Sequence, residues 1–156
     1  MGDVGLRVIA PTHSDLYSEV LPGLFSILFG DMDHEPHQHP RPTDGVWRIE
    51  RPKGLAKERW TEERRFHAFL DRVLFEVEVE ERLVVRALLA PHDDDVMRLA
   101  VTMIPVPIDA LSIHIKAVSH HGLSIHHLTE GQHMPPTDET PEIIGPAWVA
   151  DVVFDL

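Results

Sequence analysis

The chain has 156 residues, 43% of them apolar, no cysteine, and a formal charge of −12 with histidine neutral. That length accommodates one domain, residues 1–156, with its own core, and the apolar share argues against disorder. Without cysteine there is no disulfide framework and no thiolate metal site. An acidic surface repels phosphate, so broad nucleic-acid binding is not expected; cations or a basic protein partner are. Full protonation of the twelve histidines would move the formal charge from −12 to 0, so acid pH should lower solubility. The first residues lack the basic and apolar stretches of a signal peptide. The longest apolar stretch, from Val20 to Phe29, contains Pro22 and Gly23. It is shorter than the roughly 20 residues a membrane span needs. The expectation is a soluble, cytoplasmic protein without membrane contact.

In chain order, Asp3 to Ile9 alternates, with Val4, Leu6 and Val8 on one side and Asp3, Gly5 and Arg7 on the other. That is the pattern of a half-buried strand. Thr12 precedes a helical pattern of Leu16, Tyr17, Val20, Leu21, Leu24, Phe25 and Leu28, with Pro22 inside it and Gly30 as its stop. Asp31 to Gly45 reads as a loop and Val46 to Arg51 as a strand. Thr61 caps a second helix whose apolar face is Phe66, Phe69, Leu70, Val73, Leu74 and Val77. Arg82 to Leu89 and Val96 to Val106 form a hairpin. Leu111 to Leu128 holds two alternating stretches with a bend or bulge at Gly122. Thr129 to Pro146 is a proline-containing loop, and the chain closes on a strand with Trp148, Ala150, Val152, Phe154 and Leu156 on one face. This order predicts an α+β domain, two helices packed on a mainly antiparallel β-sheet.

The closing strand carries the first chemical candidate. Asp155 bears one carboxylate and Leu156 the terminal one; Asp3 stands on the polar side of the opening strand. If these two strands are neighbours, three carboxylates converge and repel unless solvated or bridged by a hard divalent cation. Two exposed aspartates at strand ends explain the same residues without a ligand. The segment Asp31 to His39 has the composition of a metal site but lacks the glycine and spacing of a calcium-binding helix-loop-helix. Its prolines favour an extended, solvated segment. In the doublet His120-His121, alternation lets one ring pack while the other joins the polar surface. His126-His127 has the same property. No nucleophile elbow, phosphate-binding glycine loop, zincin motif or triad spacing occurs.

Three stretches together resemble one family. Asp3-Val4-Gly5-Leu6-Arg7 opens the chain, Ile115-Lys116-Ala117-Val118-Ser119-His120-His121-Gly122-Leu123 lies near its end, and Val152-Val153-Phe154-Asp155-Leu156 closes it. In that order they are similar to the archease family, small protein partners of the RtcB-type RNA ligase. Between Asp31 and Pro107 the similarity is of pattern more than of residue. The family's opening motif reads His-Thr-Ala-Asp-Val-Gly; here Met1 and Gly2 stand at the Thr and Ala positions and the histidine has no counterpart. His120 stands where the family often has tyrosine, and His121 matches its histidine.

The resemblance implies an accessory protein and not an enzyme. Such proteins assist a ligase that joins RNA ends in tRNA splicing and RNA repair, promoting its guanylylation and turnover. It implies a metal site made of Asp3, Asp155 and the terminal carboxylate of Leu156, with calcium the expected ion and Lys116 and His121 as polar neighbours. It implies the ligase as protein partner, with no strong direct nucleic-acid binding. Two other readings of the residues remain. One is a stand-alone metal-dependent phosphoester hydrolase with His121 as general base. The other is a histidine-rich metal-binding module centred on Asp31 to Gly45.

Overall fold

A computed structural model describes residues 2–30, 41–91 and 93–156. β1 (Asp3–Ala10) leads into α1 (Leu16–Phe29), β2 (Thr43–Glu50) and α2 (Glu62–Glu78). The hairpin β3 (Arg82–Leu89) and β4 (Val96–Pro105) follows. Then come β5 (Ala117–Val118), β6 (Ser124–Leu128), β7 (His133–Met134), β8 (Ile143–Ile144) and β9 (Ala147–Asp155). The α+β class expected from the sequence is observed, with every pairing antiparallel. The strands divide into two main sheets: β9 with β1 on one side and β5 and β6 on the other, and β2-β4-β3. β7 and β8 form a separate two-stranded ribbon.

The helices join these sheets. α1 touches β1 and β3, and α2 touches β3 and β5. One continuous apolar core therefore runs from Val8, Val152 and Phe154 through Tyr17, Leu24, Phe66 and Phe69 to Leu99 and Val101. The α2 stripe is buried along its length, and Thr61 caps the helix by accepting from the Arg64 N–H at 3.3 Å. Asp15 stands at the N-cap position of α1 without a side-chain cap, and Thr12 Oγ1 accepts the Asp15 N–H, shaping the turn before the helix. Gly30 ends α1 at φ 68°, its N–H donating to Ser26 O. No helix among the described residues is long and apolar enough to cross a membrane.

Two boundaries differ from the sequence expectation. β2 starts at Thr43, not Val46, because Asp44 and Gly45 pair with Thr102 and Val101 and the Thr102 hydroxyl donates to Asp44 Oδ1. Of the alternating run from Leu111 to Ala117, only Ala117 joins a strand. The N–H groups of Ser112 and Ile113 bond Leu28 O and the Ser112 hydroxyl bonds Phe29 O, so this segment caps α1 instead of extending a sheet. At Gly122, where a bend or bulge was expected, the chain makes a turn with φ 81° between β5 and β6, both of which pair with β9. A Cβ at Gly122 would lie 2.9 Å from Val153 Cγ2. The segment from Thr129 to Pro146 is more than a loop: Ile143 of β8 and Met134 of β7 pack with Leu128, Ala147 and Val149 as a second small core. That core covers the N-terminal half of β9 on the face away from the helices. On the C-terminal half of the same face Asp151, Val153 and Asp155 are half-exposed.

Candidate functional site

That half-exposed part of the face is built by β1 and β9. In register, Asp3 stands opposite Asp155, Gly5 opposite Val153, and Arg7 opposite Asp151. On its other side Asp155 faces Ala117, and its carbonyl accepts the Lys116 N–H at 2.8 Å. A strand residue directs its N–H and C=O to the same side. The main-chain bonds of Asp155 therefore belong to β5, and its pairing with Asp3 is of the non-hydrogen-bonded kind. Such pairs bring their Cα atoms to about 4.5 Å with both side chains on one face.

Two rungs along, the same geometry holds an ion pair. Arg7 Nε donates to Asp151 Oδ1 at 2.7 Å and Nη2 donates to Oδ2 at 3.1 Å. Nη1 donates to the Thr140 hydroxyl at 3.1 Å, tying the segment before β8 to β1. The hydrogen bonds to Asp151 push the Arg7 pKa above its ordinary value. At Asp3 and Asp155 no cationic side chain among the described residues takes the corresponding place.

The expected site residues are therefore placed unequally. Asp3 and Asp155 are cross-strand partners. Leu156 follows directly, half-buried with its side chain against the core. Lys116 reaches Asp155 through its backbone; its side chain is exposed and makes no ion pair with Asp3 or Asp155 among the described residues. His121 is exposed in the turn between β5 and β6, and its N–H donates to Ser119 Oγ. Among the described residues, no three His, Cys, Asp or Glu side chains converge as metal ligands. A cation here would have two aspartates and would need oxygens that are not side chains of those types. The Asp31 to His39 segment, expected to be metal-like by composition, lies wholly in 31–40, outside the described residues.

The histidine doublets serve other purposes. The His120 ring stacks on His67 of α2 at 3.8 Å and 12°. His67 Nε2 lies 2.8 Å from Val118 O and Nδ1 lies 3.3 Å from Asp71 Oδ2. Asp71 raises the His67 pKa above its ordinary value, reinforced by the Val118 carbonyl and opposed by burial. This tether fastens α2 to β5, the strand beside Asp155. His127 stacks on Trp148 at 4.2 Å. Two contacts were missed from sequence. His67 and Asp71 have the i, i+4 spacing of helix neighbours, a signal that was available. Arg7 opposite Asp151 needs the register, which follows only after Asp3 is set opposite Asp155.

A search of curated proteins finds no match to the chain. The sequence profile of the Archease protein family (MTH1598/TM1083) matches residues 1–156, the whole sequence. Its span includes both strands that carry the aspartate pair and the β5 segment between them. The chain belongs to the archease family.

Proposed function

We propose that this chain is a metal-binding accessory protein that activates an RtcB-type RNA ligase, promoting guanylylation and turnover in tRNA splicing and RNA repair. Membership of the archease family, which is associated with RNA ligase activation, supports the ligase as partner. The observation that carries the metal reading is the Asp3:Asp155 rung, two carboxylates on one face with no cation from the described residues. Like charges directly opposite on a ladder are destabilising. Oxygen donors of this kind suit a hard divalent ion such as calcium. Asp3, Asp155 and the carboxylate of Leu156 hold that ion, with Lys116 and His121 at the margin of the site. When bound, the ion supplies positive charge at a tip otherwise rich in carboxylates. The chain itself presents this tip to the ligase and performs no covalent step.

Single-turnover guanylylation of the cognate ligase tests the proposal. Asp155→Asn keeps the size of the side chain and removes its charge. It is expected to lower stimulation about tenfold or more, the order seen when ligand support is lost at metal sites. A variant that stimulates as well as the parent, while remaining folded, refutes the role of the rung. Turnover of a phosphoester with no ligase present would instead favour the hydrolase reading.

A further inference from the structure

A cavity of about 420 Å³ lies at the opposite end of β1 from the aspartate rung. Thr12 and Ser14 of the turn before α1, Tyr17 of α1, Arg65 of α2, and Met97 and Arg98 of β4 line it. Asp3 opens β1 and Thr12 follows its end, so β1, at about 3.3 Å per residue over its 8 residues, separates the two places.

Its charge runs against that of the whole chain. The chain is strongly acidic, yet this concavity holds two guanidinium groups against one carboxylate, Asp93. Asp93 is partly committed elsewhere: it accepts the Asp95 and Val96 N–H groups, closing the β3–β4 turn, and pairs with Arg98 at 3.2 Å. Arg65 has no carboxylate partner among the described residues. Its guanidinium lies 5.2 Å from the Trp60 ring, and its Nε is buried without an acceptor. Buried donors are nearly always satisfied, so an unmet one lining a cavity points to a missing acceptor. The Thr12 and Ser14 hydroxyls bond each other at 3.3 Å, which leaves one O–H of the pair free to donate. Met97 and Tyr17 supply an apolar wall.

We propose that this cavity is a binding site for a small organic phosphate, with the anion held by Arg65 and Arg98 and the apolar part of the ligand against Met97 and Tyr17. The site is independent of the aspartate rung and of any cation there. Arginine suits this task because its planar fork matches phosphate oxygens. The cavity falls in the size range of small-molecule sites.

Calorimetry of the full chain with phenyl phosphate as probe, and with inorganic phosphate and phenol beside it, tests this. Phenyl phosphate is expected to saturate one site, inorganic phosphate to bind there more weakly, and phenol not to bind. Arg65→Gln is expected to weaken phenyl phosphate about tenfold or more, since charge-assisted hydrogen bonds contribute about that much. Arg48→Gln, on β2 and outside the cavity, is expected to leave it unchanged. Circular dichroism and thermal melting confirm that both variants fold. Absence of saturable binding by the parent overturns the proposal. So does equal weakening by both substitutions, which would mark diffuse electrostatic attraction.

Discussion

Arg7 opposite Asp151 and Asp3 opposite Asp155 are two rungs of the same ladder, on the same face and four residues apart. At the first, a bidentate guanidinium neutralises the carboxylate at 2.7 Å and 3.1 Å. At the second, the chain sets a carboxylate against a carboxylate. The backbone geometry is shared, so one side chain makes the difference, arginine at position 7 and aspartate at position 3. Opposite charges across a ladder contribute roughly 0.2–1 kcal/mol, and like charges cost a similar amount. Two charges about 5 Å apart repel by about 1 kcal/mol in water and more where water is partly excluded. A fold able to neutralise Asp151 from within had the same means available for Asp155. The contrast separates a rung whose charges cancel from one whose charges add.

The largest effect expected from breaking this contrast is on cation linkage. Calcium at 100 times its dissociation constant should stabilise the parent by about 2.7 kcal/mol. In a chain of this size that raises Tm by about 5–10 °C. Asp3→Arg copies the upper rung onto the lower one. It should abolish the calcium response and leave the metal-free protein as stable as the parent, or more stable by up to about 1 kcal/mol. Differential scanning calorimetry with and without calcium reads both quantities. A calcium response that survives in Asp3→Arg places the ion elsewhere in the molecule.

The contrast was half legible in the sequence. Alternation put Asp3 and Arg7 on the polar side of the first strand, and Asp151 and Asp155 on the polar side of the last. What alternation cannot give is register, because a strand slipped by two residues keeps the same faces. The resemblance of both chain ends to one family supplied the pairing of Asp3 with Asp155, and the ladder bears that pairing out. The helices were legible because the stripe from Phe66 to Val77 keeps one period over 12 residues, and Thr61 marks its start. The segment from Leu111 to Ile115 was not. Its apolar alternation resembles a strand, but its hydrogen bonds go to the end of α1, a tertiary choice outside local propensity. The small core of Ile143, Met134 and Val149 was missed for a similar reason: two-residue strands leave no period to read.

Removing the neutralised rung sharpens the comparison from the other side. The side chains of Arg7 and Asp151 are 19% and 29% exposed, so solvent screens the pair and its contribution is modest. Arg7→Met keeps the aliphatic stem and should cost about 1 kcal/mol in urea denaturation. Part of that loss comes from the Thr140 hydroxyl, which Arg7 holds. Amide exchange in residues 137–140 should rise with it. The calcium response should be retained, because Asp3 and Asp155 are untouched. A variant that loses that response would mean that the two rungs act as one charge network.

The smallest effect concerns the strand on the other side of Asp155. His67 ties α2 to β5 through Val118 O, and chiefly its hydrogen bond to Asp71 raises its folded pKa above the ordinary histidine value. The charged groups around it on α2 are Glu63, Arg64 and Asp71, and on the β5 side His120 stacks on its ring. A raised folded pKa means that the native state binds the proton more tightly than the unfolded chain. The stabilisation is therefore complete below about pH 6.5, the unfolded value, and is lost as pH rises through the raised folded value. Asp71 is largely exposed, so the amount is below about 1 kcal/mol. The difference in unfolding free energy between the parent and His67→Gln, followed from pH 5 to 9, should shrink as pH rises. A difference that stays flat would mean that packing against His120, and not protonation, is what His67 contributes. If the Asp3:Asp155 geometry is set by the β1–β9 ladder alone, calcium affinity at one pH should be the same in both proteins. A weaker affinity in His67→Gln would show that β5 also positions Asp155, through the Lys116 N–H bonded to its carbonyl.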